Sequence, residues 1–268
     1  MKKLPLICFV IPLLWGFCAS ISGQELTPAE KQARIQQAMP TALPQSPAVA
    51  KTKDASDFHL RGQVKEVILS KGSEGHLLPA SYLVFDRSGA RLNQVSYNGD
   101  GNPMIVAVFG YIDGKRVAKT ARIAYSYDPP AAAGPAPESG DTRYNAVYEN
   151  VYGHDGKLME EKAFLNSGKL YYRKVYTVTG PTTEILTYNS DGEVTSQLTE
   201  TYDSNGDIIE AHSPGAKGYG ENETHYAYEK YDSKGNWTRR VLTGKIGGWR
   251  RSQKDFTEIH ERVITYYP

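Results

Sequence analysis

Tyr202-Asp203-Ser204-Asn205-Gly206 and Tyr231-Asp232-Ser233-Lys234-Gly235 carry the same five-residue pattern at two places, each between runs of strand-forming residues. The same spacing, an aromatic four positions before a glycine, recurs at Phe85/Gly89, Tyr97/Gly101, Tyr152/Gly156, Phe164/Gly168 and Tyr188/Gly192. In FDRSGA, YNSDGE, YDSNGD and YDSKGN an Asp or Asn follows the aromatic. A short acceptor side chain at the first corner of a turn takes the next backbone N–H groups, and glycine at the fourth tolerates positive φ. The combination predicts a type I turn closed by a glycine bulge, a common hairpin connection. Asp86, Asp203 and Asp232, with Gly89, Gly101, Gly156, Gly168, Gly192, Gly206 and Gly235, are the expected turn residues. The aromatic before each turn is expected to pack across the hairpin and pin its register.

Between the turns lie runs such as VKEVILSK, PMIVAVFGY, KLYYRKVYTV, EVTSQLTETY and THYAYEKY. In 193–202, Val194, Leu198 and Tyr202 share one face of an extended chain, while Thr195, Gln197, Thr199 and Thr201 share the other. From residue 58 onward no window favours a helical period. The fold expected is all-β: an antiparallel meander of roughly a dozen strands with short hairpin turns. An open single layer would leave apolar side chains wet and two edges unpaired. The sheet is therefore expected to curl on itself, or to pack as two halves across the break DPPAAAGPAPESGD (128–141).

Residues 1–23 read as a secretory leader, with Lys2 and Lys3 ahead of an apolar core and small residues after it. Cleavage is expected after Ser22 or Ser20, an uncleaved anchor being the alternative. Cys8 and Cys18 both lie in this leader, so the exported chain has no thiol, disulfide or Cys–metal site. Trp15 and Phe17 stand where a lipobox has Leu and a small residue, which argues against a lipid anchor on Cys18. Residues 24–57 read as a short helix with a Thr27-Pro28-Ala29-Glu30 capping box, then a Pro/Ala/Ser-rich linker. Residues 58–268 form the β domain, with a subdivision conceivable at 128–141.

Tyr202 to Gly206, the run Tyr231-Asp-Ser-Lys-Gly-Asn-Trp-Thr-Arg-Arg240, the opening Arg61-Gly62-Gln63-Val64-Lys65 and the closing Ile264 to Tyr267 resemble the Rhs/YD-repeat family. More closely, they resemble exported bacterial proteins carrying a few divergent repeats of that kind. Gly-Lys-Leu at 156–158 and again at 168–170 is also similar to MORN-like, YwqK-type repeats. The resemblance implies a β-sheet scaffold and no catalytic residues.

The chain has 31 Lys+Arg and 30 Asp+Glu, so no basic excess marks a nucleic-acid binder. Loss of Lys2 and Lys3 leaves 29 basic against 30 acidic residues. Nineteen tyrosines against seven phenylalanines suit strands that are half wet. The six histidines, at 59, 76, 154, 212, 225 and 260, show no zinc-protease spacing, and no P-loop, dinucleotide or nucleophile-elbow motif is present. No catalytic residue, cofactor or metal is expected. Tyr228, Tyr231, Trp237, Arg239, Arg240, Trp249, Arg250 and Arg251 cluster near the C-terminus as a possible binding surface, with hairpin packing and a solvated arginine face as the competing account. The expected function is that of an exported, non-enzymatic scaffold or interaction protein of the periplasm or exterior, without a membrane span once the leader is cut. The partner is an unknown protein or an envelope glycan. The alternatives are a glycan or cell-wall binding module using exposed Tyr and Trp, and a hydrolase whose carboxylates the sequence does not reveal.

Overall fold

The computed structural model describes residues 27–40, 58–112, 115–122, 146–154, 157–165, 167–215, 220–248 and 252–268. The leader, the 41–57 linker, Gly156, Trp249, Arg250 and the 128–141 segment lie outside these residues.

Helix α1 spans Pro28–Ala38, and among the described residues fourteen strands follow it. They are β1 (Val64–Ser73), β2 (His76–Phe85), β3 (Arg91–Tyr97), β4 (Pro103–Ile112) and β5 (Lys115–Arg122). Next come β6 (Ala146–Tyr152), β7 (Leu158–Leu165), β8 (Leu170–Thr179), β9 (Thr182–Asn189) and β10 (Val194–Tyr202). The last are β11 (Ile208–Ser213), β12 (Asn222–Tyr231), β13 (Trp237–Gly247) and β14 (Gln253–Tyr266). Every strand pairs antiparallel with its neighbours in sequence, and β14 returns to pair with β1 through Val67↔Ile264 and Leu69↔Arg262.

The sheet is therefore a closed barrel, which corrects the expectation of a curled open sheet or two packed half-sheets. The physical reason is the edge: closure pairs β1 with β14 from Val64↔Tyr266 to Gly72↔Ile259, where an open meander would leave both edges bare. Nor does the 128–141 break divide the sheet, because β5 and β6 pair directly at Arg116↔Tyr148, Val117↔Val147 and Ala118↔Ala146.

Five of the hairpin turns share one construction. At Asp86, Asn98, Asn189, Asp203 and Asp232 the side-chain Oδ1 accepts two backbone N–H groups, two and four residues ahead, at 2.8–3.0 Å. Gly206 and Gly235 follow at φ +82° and +79°, where a Cβ is disfavoured. A register shift sits next to the aromatic in these hairpins, as at Val84/Phe85, Ser96/Tyr97 and Thr201/Tyr202. The Tyr-Asp-x-x-Gly pattern is thus turn chemistry for a barrel's hairpins and not the mark of an open repeat array.

Alternation decides which side chains enter the lumen. In β14 Glu258 and His260 are buried, and Arg262 and Ile264 continue that face, while the intervening Val263 is 64% exposed. Outward positions carry mid-strand charge: Arg239 pairs with Glu74, Glu229 and Glu261, and Glu160 with Arg173 and Lys162. On the lipid face of a membrane barrel each such cation costs about 2–4 kcal/mol at mid-depth. One outward patch is apolar and covered. Val95 and Val106 pack with Ile35 of α1, flanked by Tyr82 and Tyr97. Helix α1 begins at the Thr27/Glu30 capping box.

Candidate functional site

The turns at 86–90, 203–207 and 232–236 lie at one end of the barrel, and the segment 58–63 crosses that end before entering β1. Phe58 meets the Phe85 ring edge-on and lies under the Arg91 guanidinium. Three residues further on, Arg61 donates to the carbonyls of Gly235 and Asn205. Asn236 holds the same residue's backbone. Its Oδ1 accepts the Arg61 N–H at 2.6 Å, and its Nδ2 donates to the Arg61 carbonyl at 2.9 Å. Asn236 is 1% exposed, so this amide clamp is the role of the Gly-Asn-Trp element. His59 sits in the crossing at φ +53°, its ring against Tyr202.

Beneath this strap the lumen opens into a cavity of about 750 Å³. Its walls include Phe58 and His59, the aromatic and aliphatic side chains of Tyr176, Val178, Tyr228 and Trp237, and the charged Glu200, Asp207, Arg240 and Arg262. The register shifts beside Lys230 turn Trp237 inward to join Tyr228 and Arg240. Both guanidiniums stack on the one indole, Arg262 at 3.5 Å and Arg240 at 4.2 Å from its ring centre. Arg240 also lies over Tyr226.

Arg262 Nη1 and Arg240 Nε are buried without a hydrogen-bond partner. Burial, reinforced by the neighbouring Arg240 charge, pushes Arg262 down to about 9. Behind Arg240 stands a polar chain. Arg240 Nη2 lies 3.3 Å from His260 Nδ1, and His260 Nε2 lies 2.9 Å from Glu258. If the guanidinium donates, as it must, Nδ1 accepts and the proton sits on Nε2 facing Glu258. Burial holds the His260 imidazole below its ordinary value, consistent with the neutral tautomer.

The acidic side of the cavity is Glu200, which takes the Tyr202 hydroxyl, and Asp207, which takes that of Tyr231 at 3.4 Å. Desolvation raises both carboxyls above their ordinary values. Elsewhere in the lumen Glu161 is fully engaged, by Arg116 at 3.0 Å, the Tyr172 hydroxyl at 2.8 Å and Lys174 at 4.0 Å.

The C-terminal cluster expected from the sequence is split by the barrel wall. Tyr228, Trp237 and Arg240 face the lumen, and Trp237 is only 2% exposed. Arg239 points outward into its three-glutamate network, and Tyr231 is 43% exposed at the mouth. Sequence reasoning missed Arg262, Glu200, His260 and the strap residues Phe58 and His59. One signal was available: Glu258, His260 and Arg262 follow one another at a spacing of two, which puts titratable groups on a single strand face.

No family model matches the chain, and no curated protein matches its sequence. The resemblance to Rhs/YD repeats is corrected accordingly: it reflects shared turn chemistry, and the closed barrel replaces the repeat array. Among solved structures, a porin-like protein from Bacteroides uniformis is 14% identical, with a TM-score of 0.47 over 76% of this chain and 98% of that one. A LolA superfamily protein from Nitrosomonas europaea is 10% identical, with a TM-score of 0.23 over 89% and 94%. A TcdB2-TccC3-Cdc42 structure is 11% identical, with a TM-score of 0.18 over 71% and 14%. Likeness at this level carries no argument about function. Among the described residues no helix is long and apolar enough to cross a membrane, and no group of three or more metal-ligating side chains occurs.

Proposed function

We propose that this is an exported, non-enzymatic binding protein whose barrel lumen holds a small organic molecule. The observation that carries the reading is the cavity of about 750 Å³ beneath the 58–63 strap, walled by aromatics and by buried guanidinium atoms without partners. That volume lies within the range of small-molecule sites, which is about 300–1,000 Å³. Export rests on the leader at 1–23, and the charged outward face suits a barrel surrounded by water in the envelope. The Glu258–His260 pair ends on the Arg240 guanidinium, so it orients a cation and activates no nucleophile.

Thermal-shift screening against a library of small envelope metabolites tests the reading. Binders are expected to raise the melting temperature, and Thr183→Trp, which fills the lumen from β9, is expected to abolish their effect. A library without binders, or binders indifferent to Thr183→Trp, overturns it.

A further inference from the structure

We infer that the lumen is an anion site: a carboxylate or phosphate head seats on Arg240 and Arg262 against Trp237, and a flat apolar body lies along Tyr176 and Val178. The inference rests on the lumenal-binding reading above and names its ligand class.

Arg240 and Arg262 occupy adjacent strands on the same inward face, as diagonal neighbours across the Arg240↔His260 pair. Stacked on one indole, they bring two like charges together in a place with little water. Neither has an ion-pair partner among the described residues: Glu161 pairs with Arg116, Glu258 engages His260 through one oxygen, and Glu200 takes the Tyr202 hydroxyl. Asp207 acts on Arg262 through its charge without forming an ion pair, its oxygen accepting from Tyr231. Buried polar atoms without partners are rare in native proteins, because each forfeits its hydration. Arg262 Nη1 and Arg240 Nε are two such atoms, on guanidiniums that stack on the same indole. A planar or tetrahedral oxyanion accepts several guanidinium N–H bonds at once and relieves the repulsion between the two cations. A solvated cation would do neither, and a neutral ligand would do only the first in part. The Tyr226, Tyr228 and Trp237 rings lie against the Arg240 guanidinium and the indole against that of Arg262, so the forks are held before the ligand arrives. Glu258, acting through His260, fixes the tilt of Arg240 without neutralising it.

Calorimetric titration of the full chain with benzoate, phenyl phosphate and benzyl alcohol tests the site. Both anions are expected to bind at least about tenfold more tightly than the alcohol, and the tighter of the two identifies the head group. Arg262→Met and Arg240→Met are expected to erase that preference while sparing the alcohol, Arg262→Lys to keep part of it, and the outward Arg239→Met to leave it intact. Near-UV circular dichroism checks that each variant keeps its packed aromatics. Equal binding of anions and alcohol, abolished by Thr183→Trp, overturns the anion site and leaves lumenal binding standing. An anion preference that survives both Met variants also overturns it. Absence of binding by all three probes removes both readings.

Discussion

Two clusters of charge face the same lumen and are completed in different ways. Around Glu161 the barrel supplies the carboxylate with partners of its own: Arg116 from β5, Tyr172 and Lys174 from β8, with Arg116 also resting on the Tyr148 ring. Around Trp237 it supplies two cations and aromatic faces but no carboxylate paired to either cation, and leaves Arg262 Nη1 and Arg240 Nε without a hydrogen bond. Charge inside a barrel therefore has two uses. A closed network cross-links strands that would otherwise surround an empty tube, whereas an open one waits for something from outside. The two should respond oppositely to mutation.

The largest effect is expected from Glu161→Gln, which strands Arg116 and Lys174 in the lumen. Breaking a buried pair on one side costs about 3–5 kcal/mol, readable as a lowered urea midpoint. Asn236→Ala comes next. It removes the clamp on Arg61 and the bond to the Tyr266 hydroxyl, costing about 2–3 kcal/mol and loosening the strap to proteolysis near residue 58. Gly235→Ala should cost more than Gly192→Ala. Both glycines sit at positive φ, worth about 1 kcal/mol, but only at Gly235 does an added Cβ meet Arg61 Nη1, at 2.7 Å. Arg262→Met is expected to change stability by less than about 1 kcal/mol or to raise it, since removing an unpaired buried charge relieves desolvation. A loss there comparable to that of Glu161→Gln would erase the distinction between the clusters.

Acid titration sharpens the same contrast. Burial holds His260 below its ordinary 6.5, so as pH falls through that value the unfolded chain takes up the proton first. The stabilising effect of the neutral imidazole is thus present above 6.5 and is lost progressively below it. His59 acts in the same direction. His260→Gln is expected to flatten the fall in stability between about pH 7 and about pH 5.5, as followed by denaturant melts.

The hairpins were legible because their information is local. An acceptor side chain, two backbone N–H groups and a glycine at positive φ lie within six residues of one another, as at Asp203 to Asp207. The candidate site was legible only in part. Tyr228, Trp237 and Arg240 stand close together in the sequence, but Arg239 belongs to the same stretch and faces the other way. Arg262, on β14, joins them through strand pairing. The strap residue Arg61 meets Asn236 across 175 positions, a contact that no composition or period announces.

The amino-acid order by itself determined extended strands, their antiparallel succession and the turns at Gly89, Gly101, Gly168, Gly192, Gly206 and Gly235, since sterics and near-neighbour hydrogen bonds act within a few residues. Closure was decided only in three dimensions, where β14 found β1 and the last two free edges satisfied one another. That same pairing sorted alternate side chains into wall and lumen, and so created a cavity with charged walls from residues that read along the chain as an ordinary half-polar strand.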